Sequence, residues 1–355
     1  TYLFGDINMH IHIKNQTPDQ NQRRTLLCLA LILLLVFIIS LFVGRYSISF
    51  SEITTTIKNL VLRNEVEISN DWLVFYHIRL PRIILVIFVG SVLSITGATY
   101  QSVFRNPLAS PSILGVSAGS AFGVALAILF SEDFLIGTYL LSFILGLVAV
   151  LFTFFISVWS KVKGVTVLVL AGMAVTSFFN ACVSLVQYLA DPYEKLPNIV
   201  FWLMGSFNRA GWREVYISLF TMLPGIIILL ILRWYLNVMS MGEEEALSMG
   251  INVRRMRILL IIVSTIMVAP TVAVAGQVSW IGLITPHIAR YIIGANHRYM
   301  LPATCILGSV LLLIMDDIAR TITPAEIPIS IVTAFIGAPF FVYLLLRRRE
   351  SGWNQ

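Results

Sequence analysis

The chain has 355 residues, 58% of them hydrophobic and only 12% charged, with a formal net charge of +6. A soluble domain carries about 25% charge, so an ordinary water-soluble fold is excluded. The apolar runs recur from end to end and are too long and uniform for the alternating strands of a membrane barrel, which leaves an all-α integral membrane protein.

Residues 1–25 form a polar tail, expected on the cytoplasmic side. The chain opens on Thr1 and Met9 offers a natural start, so residues 1–8 are expected to include added sequence; His10 and His12 are a stray surface pair. The first apolar run, 26–43, is long enough to stay in the membrane, so no cleavable signal is expected. About 20 apolar residues cross the hydrocarbon core. On that measure nine further spans follow, near 83–104, 112–130, 138–159, 165–189, 215–236, 258–276, 278–294, 300–315 and 327–346. The 278–294 run is short and holds Pro286, which predicts a kinked or tilted span. Ten spans put both termini on one side. With the N-terminus inside, the inner segments hold 13 Lys and Arg and the outer ones nine, so the positive-inside rule predicts N-in, C-in, with residues 26–349 as the membrane domain and 350–355 as a tail. The positive charge is then a topology signal and implies no nucleic acid.

Along the chain, Gly115, Gly119 and Gly123 repeat every fourth residue, a small-xxx-small face for close helix packing that could also border a pathway. Cys28, Cys182 and Cys305 sit in apolar runs without metal spacing and predict no disulfide. His77, His287 and His297 are scattered, as suits packing or interface positions. Asp316 and Asp317, with Arg320 one turn on, read equally as a structural acid–base pair or as part of a transport route. No G-x-x-x-x-G-K-[ST] occurs, so the chain has no P-loop for ATP, and no catalytic constellation is present.

One stretch breaks the oily pattern: Gly242 to Arg257, GEEEALSMGINVRRMR, on the expected cytoplasmic side. A short helix is predicted, with Glu243, Glu244 and Glu245 at its positive end and Arg254, Arg255 and Arg257 at its negative end, interrupted at Gly250 and Asn252.

The segments RLPR at 79–82 and GSVLSITGATYQSVFRNPLASPSILGVSAGS at 90–120 resemble the permease subunits of metal-chelate ABC importers, which move ferric siderophores, haem and cobalamin. VLVLAGMAV at 167–175, FWLMGSF at 201–207, GLITPHIAR at 282–290 and IPISIVTAFIGAPFF at 327–341 follow in the family's order. The resemblance implies a ten-helix subunit in a homodimer within the cytoplasmic membrane of a bacterium or archaeon. Two ATPase subunits holding ATP and Mg sit below and a substrate-binding protein docks above; the permease binds no cofactor and is not itself an enzyme. It implies that Glu243, Glu244, Glu245, Ala246, Leu247, Met249, Gly250 and Ile251 touch the ATPase. It matches Arg79, Arg82 and Arg320 to positions facing acids on the binding protein. Asn106 and Leu108, with Val165 and Thr166, match residues narrowing the cytoplasmic end, although the family has a polar residue where Val165 stands. A molybdate- or tungstate-like oxyanion is an alternative cargo. An ion-coupled secondary carrier is the competing class, since Arg79 and Arg254 open similar R-x-x-R runs that hint at an inverted repeat.

Overall fold

The computed structural model describes residues 18–62, 69–130, 135–160 and 165–347, and among these every regular element is helical. The elements are α1 (Pro18–Phe42), α2 (Phe50–Leu62), α3 (Asn70–Leu73), a π-helical turn (Val74–Arg79), α4 (Leu80–Val103), α5 (Val116–Phe130), α6 (Leu135–Trp159) and α7 (Val165–Leu189). There follow α8 (Lys195–Leu203), α9 (Trp212–Ile231), α10 (Arg233–Met241), α11 (Glu243–Ser248), α12 (Val253–Ala275), α13 (Ile281–Ile293), α14 (His297–Thr321) and α15 (Ile329–Arg347). Met9, the histidines of the tail, the cations Lys14, Arg63, Lys161, Lys163, Arg348 and Arg349, and the tail 350–355 lie outside the described residues.

Seven helices are long and apolar enough to cross a membrane; Val116–Phe130, Ile281–Ile293 and Ile329–Tyr343 are apolar but shorter. Each of the ten apolar runs therefore falls on a helix. Several helices begin or end away from the expected bounds, among them α9, which ends at Ile231, and α12, which begins at Val253. α1 starts at Pro18, inside the expected tail, because Gln22 Nε2 donates to Ile293 O at 3.1 Å and Asp19 pairs with Arg298 at 3.8 Å. The second span begins at Asn70 and the ninth runs on to Thr321. Their polar turns read as loop by hydropathy, yet their charges are paired inside the protein. α5 starts only at Val116, after Gly115 takes a left-handed φ of +84°.

α4 is the axis of the bundle. Most of its span is buried, as is most of α12, whereas α1 is largely exposed to the surroundings. α14, α13, α9 and α12 pack around α4. Two close crossings of α4 use glycine on both sides. A Cβ on Gly90 would lie 2.5 Å from the carbonyl oxygen of Gly308, and one on Gly97 would collide with that of Gly282. Beside the first crossing the hydroxyls of Ser91 and Ser309 are 2.7 Å apart, and Ser309 also donates to Ile87 O at 3.0 Å. Gly119 and Gly123 lie where α6 passes over α5, each with a backbone oxygen of α6 in the place of a Cβ. Gly115 departs from that face: a Cβ there would meet Val175 of α7 at 3.1 Å.

Candidate functional site

Polar and charged groups gather at the two ends of α4. Arg82 and Gln101 are 19 residues apart on this helix, about 28 Å at 1.5 Å per residue, close to the thickness of a hydrocarbon core.

At the Arg82 end, three arginines are nearly fully buried, at 4% exposure for Arg79, 7% for Arg82 and 5% for Arg320. Arg82 is central. Its Nε donates to Asp316 Oδ2 at 3.0 Å and its Nη2 to Asp316 Oδ1 at 2.8 Å. The same guanidinium donates to both oxygens of Glu326, at 3.0 and 2.9 Å, and to Asn208 Oδ1 at 3.3 Å. Arg320 pairs with Asp317 and donates to Ser40 O at 2.7 Å. Arg79 donates to Leu41 O at 2.7 Å and to the carbonyl of Tyr46. Asp71 accepts from the Tyr46 hydroxyl at 2.8 Å and from Ser49 N at 2.7 Å, and the first of these bonds raises the phenol above its ordinary range. The three arginines foreseen as facing a binding protein thus have their hydrogen bonds inside the chain, stitching α1, α4 and α14 together. Of the two readings of Asp316 and Asp317, the geometry is that of structural pairs. Arg82–Asp316, 234 residues apart, and Glu326 left no local signal in the sequence.

Two cavities lie among these helices, the second of them sharing Asn208 and Glu326 with this cluster. One, of about 310 Å³, is lined by Gln187, Gln277, Ser279 and Ser330 among others. The other, of about 220 Å³, has Asn198, Ser206, Asn208, Arg209 and Glu326 on its wall. Amides and hydroxyls mix with Val200, Leu203 and Met204 in the first, and the second adds the opposite charges of Arg209 and Glu326 to a partly apolar wall.

At the opposite end, α11 is a six-residue helix closed by a Schellman motif. Gly250, at φ +79°, donates to Leu247 O at 2.9 Å, and Ile251 donates to Ala246 O at 3.0 Å. Ala246 and Ile251 are buried, while Leu247 and Met249 project outward at 61% and 50% exposure and Glu243, Glu244 and Glu245 are exposed. Asn252 then caps α12 by accepting from Arg255 N at 3.0 Å. The break foreseen at Gly250 and Asn252 is present. The placement of the arginines is corrected: Arg254 and Arg255 lie in the first turn of α12 and Arg257 directly after it, at that helix's positive end. The opposing charge that balances Arg257 is Glu243 itself, paired with it across the turn.

The loop 104–115, which follows α4, carries Asn106 and Leu108. Asn106 Oδ1 accepts from Leu108 N at 2.9 Å, and Leu108 is exposed. α7 meets this loop through Gly172, where a Cβ would collide with Ile113 O, and through Val175. Val165 and Thr166 stand at the first turn of α7; Thr166 is exposed and Val165 half-buried against the core.

The FecCD transport family model matches residues 32–347. This chain belongs to that family. It is 40% identical to the molybdate import system permease protein MolB of Haemophilus influenzae, over 95% of this chain and 99% of that protein. It is 36% identical to the hemin transport system permease protein HmuU of Yersinia pestis, over 93% and 98% of the two chains. A solved structure described as an inward-facing metal-chelate type ABC transporter superposes with a TM-score of 0.82 at 40% identity, covering 92% of this chain and 99% of that one. The FecCD match and the seven long apolar helices make the chain a multi-pass membrane protein of the ABC-permease type.

Proposed function

We propose that this chain is the transmembrane subunit of a binding-protein-dependent ABC importer. It spans the cytoplasmic membrane of a bacterium or archaeon ten times with both termini inside, and two copies enclose one pathway. The observation that carries the proposal is the coincidence of two features. The family match covers nearly the whole membrane domain, and the charged interruption of the sequence forms a short helix whose Leu247, like Met249 just after it, is exposed. Two ATP-binding subunits seat on α11, and they hold the ATP and Mg that this P-loop-free chain has no motif to bind. Alternating access follows from a two-state dimer biased by nucleotide below and by the binding protein above. The three shorter apolar helices complete the count of ten. Arg79, Arg82 and Arg320 serve the binding protein by holding the shape of the outer face.

The cargo is a metal chelate: a ferric siderophore, haem or cobalamin. The relationship to a hemin permease supports this. The 40% identity to a molybdate permease supports a second cargo, a molybdate- or tungstate-like oxyanion.

The test is ATP-driven uptake in proteoliposomes containing the permease, its co-purifying ATPase and a binding protein, with labelled ferric siderophore, haem, cobalamin and molybdate offered in turn. Uptake of one cargo should require all three polypeptides. Accumulation by the permease alone, driven by a proton or sodium gradient, would overturn the proposal in favour of a secondary carrier.

A further inference from the structure

Two hydrogen-bonded chains of side chains meet on the last turn of α4, directly before the loop 104–115. The first starts at Gln101, which is buried. Its Oε1 accepts from Arg290 of α13, and its Nε2 donates to Leu283 O at 3.3 Å. Arg290 lies 3.5 Å from His287 Nδ1, which accepts from it. That fixes the proton of His287 on Nε2, which donates to the carbonyl oxygen of Pro107 at 3.0 Å. The second chain starts at Ser102. Its hydroxyl donates to His297 Nε2 at 2.5 Å. The Nδ1–H and the backbone N–H of His297 both donate to Asn237 Oδ1 at 2.8 Å. Asn237 Nδ2 in turn donates to Asn296 Oδ1, 3.0 Å away, the residue that caps α14.

Asn237 lies on α10, one turn before the junction with α11. The buried residues Leu236, Val238 and Met239 fix α10 against the core. The loop itself is under tension. Arg105 is left-handed at φ +48°, a conformation that costs a side-chain-bearing residue about 1–2 kcal/mol. It is kept there by Arg105 N donating to Ser102 O and Asn106 N to Gln101 O, so the same turn of α4 that receives both side-chain networks also holds the loop's backbone.

We infer that His287 and Arg290 clasp the loop 104–115 through Pro107, and that His297 and Asn237 tie the same turn of α4 to α10, so that a displacement of α11 reaches the loop through adjacent residues Gln101 and Ser102. These four are positioning residues. The clasp stands on hydrogen bonds within this chain; its use in coupling rests on the importer reading.

The reporter is Ala109, fully buried within the loop. Cys28 and Cys182 are replaced by serine, Ala109→Cys is introduced, and buried Cys305 of α14 is kept as an internal control for general loosening. Maleimide labelling of the purified full chain in detergent is followed at each site by peptide mass spectrometry. One net hydrogen bond corresponds to about a fivefold change in an opening equilibrium. His287→Phe should therefore raise labelling at position 109 about fivefold with Cys305 unchanged. His287→Gln, long enough to donate to Pro107 O, should stay within about twofold of the parent. Asn237→Ala should raise labelling at 109 as well. Parent-like rates in both His287→Phe and Asn237→Ala, or an equal rise at Cys305, would overturn the clasp. Should His287→Phe fail to fold, Arg290→Met takes its place with the same expected rise at position 109. With ATPase subunits bound, a non-hydrolysable ATP analogue should alter labelling at 109 in the parent and not in Asn237→Ala; the same change in both would overturn the tie to α10. Failure of any ATPase to co-purify refutes the importer reading alone, because the detergent measurement needs no partner.

Discussion

Arg82 shows how burial changes the meaning of a charged residue. In the sequence, RLPR stands at a helix mouth with no visible partner. In the fold its guanidinium bridges Asp316, which is 1% exposed, and Glu326, which is half-buried. Removing one member of a buried pair leaves an uncompensated charge and costs about 3–5 kcal/mol, whereas replacing both with apolar groups is often near neutral. Arg82→Met should therefore lower stability by about that amount, read from equilibrium unfolding in mixed micelles. Arg82→Met with Asp316→Leu should recover most of the loss. A double mutant as unstable as the single would mean that Glu326 or Asn208 is the partner that matters. One consequence bears on docking: reversing Arg82 to Glu damages the permease before any binding protein arrives. Exposed Arg45, Arg209 and Arg213 are the cleaner places to probe electrostatic docking on this face. The identity of the arginines was legible from RLPR, but their partners were not. Asp316 and Glu326 lie more than 230 residues away, and no local pattern encodes such a contact.

At the scale of elements, α11 is the case where local sequence and observed structure agree most closely. Gly250 is the C′ residue of a helix that ends in a left-handed turn, a position glycine occupies without a Cβ penalty. A Cβ here would meet nothing within 4 Å, so a substitution is felt only through backbone strain. Asparagine tolerates this conformation better than alanine, and β-branched residues tolerate it least. The order of loss in ATPase co-purified per permease should be Gly250→Asn, then Ala, then Val, with about 1–2 kcal/mol separating glycine from alanine. Equal recovery across the series would remove α11 from the ATPase contact. The hydrophobic runs located all ten apolar helices for a related reason: length and apolarity are properties of contiguous residues. They misjudged ends wherever charge is internally paired, as at Asn70–Arg82 and Asp316–Arg320. They also gave no sign of α2, α8 and α10, which are short and owe their placement to packing. Gly90 and Gly97 escaped notice because their partners, Gly308 and Gly282, come from helices far along the chain. The Gly119 and Gly123 seam with α6 was readable because the four-residue repeat itself marks a helix face.

For the whole molecule, the fold separates the segments predicted to lie outside from those predicted inside without any membrane being consulted. Arg82, Asn208, Asp316 and Glu326 meet at one end of α4. Gln101, Pro107, Asn237, His287 and His297 converge at the other. Burial sharpens the charge argument too. Of the nine cations assigned outside, three (Arg79, Arg82 and Arg320) are buried and bonded within the protein, so the outer count competing for orientation falls from nine to six against 13 inside. Cytoplasmic excess of Lys and Arg sets orientation, and this margin favours N-in, C-in. Tyr193, 93% exposed beyond the far end of α7, should then face outward, and Gly250 should face the cytoplasm. Alkaline phosphatase, active only outside the cytoplasm, should be active when fused after Tyr193 and inactive when fused after Gly250. Green fluorescent protein should give the opposite pattern and should also fluoresce at the C-terminus. The reverse result at all three positions would place α11 outside the cell, where no ATP is supplied. Leu247 and Met249 would then need an external partner, and the docking of ATPase subunits on α11 would have to be abandoned even though the family relationship stood.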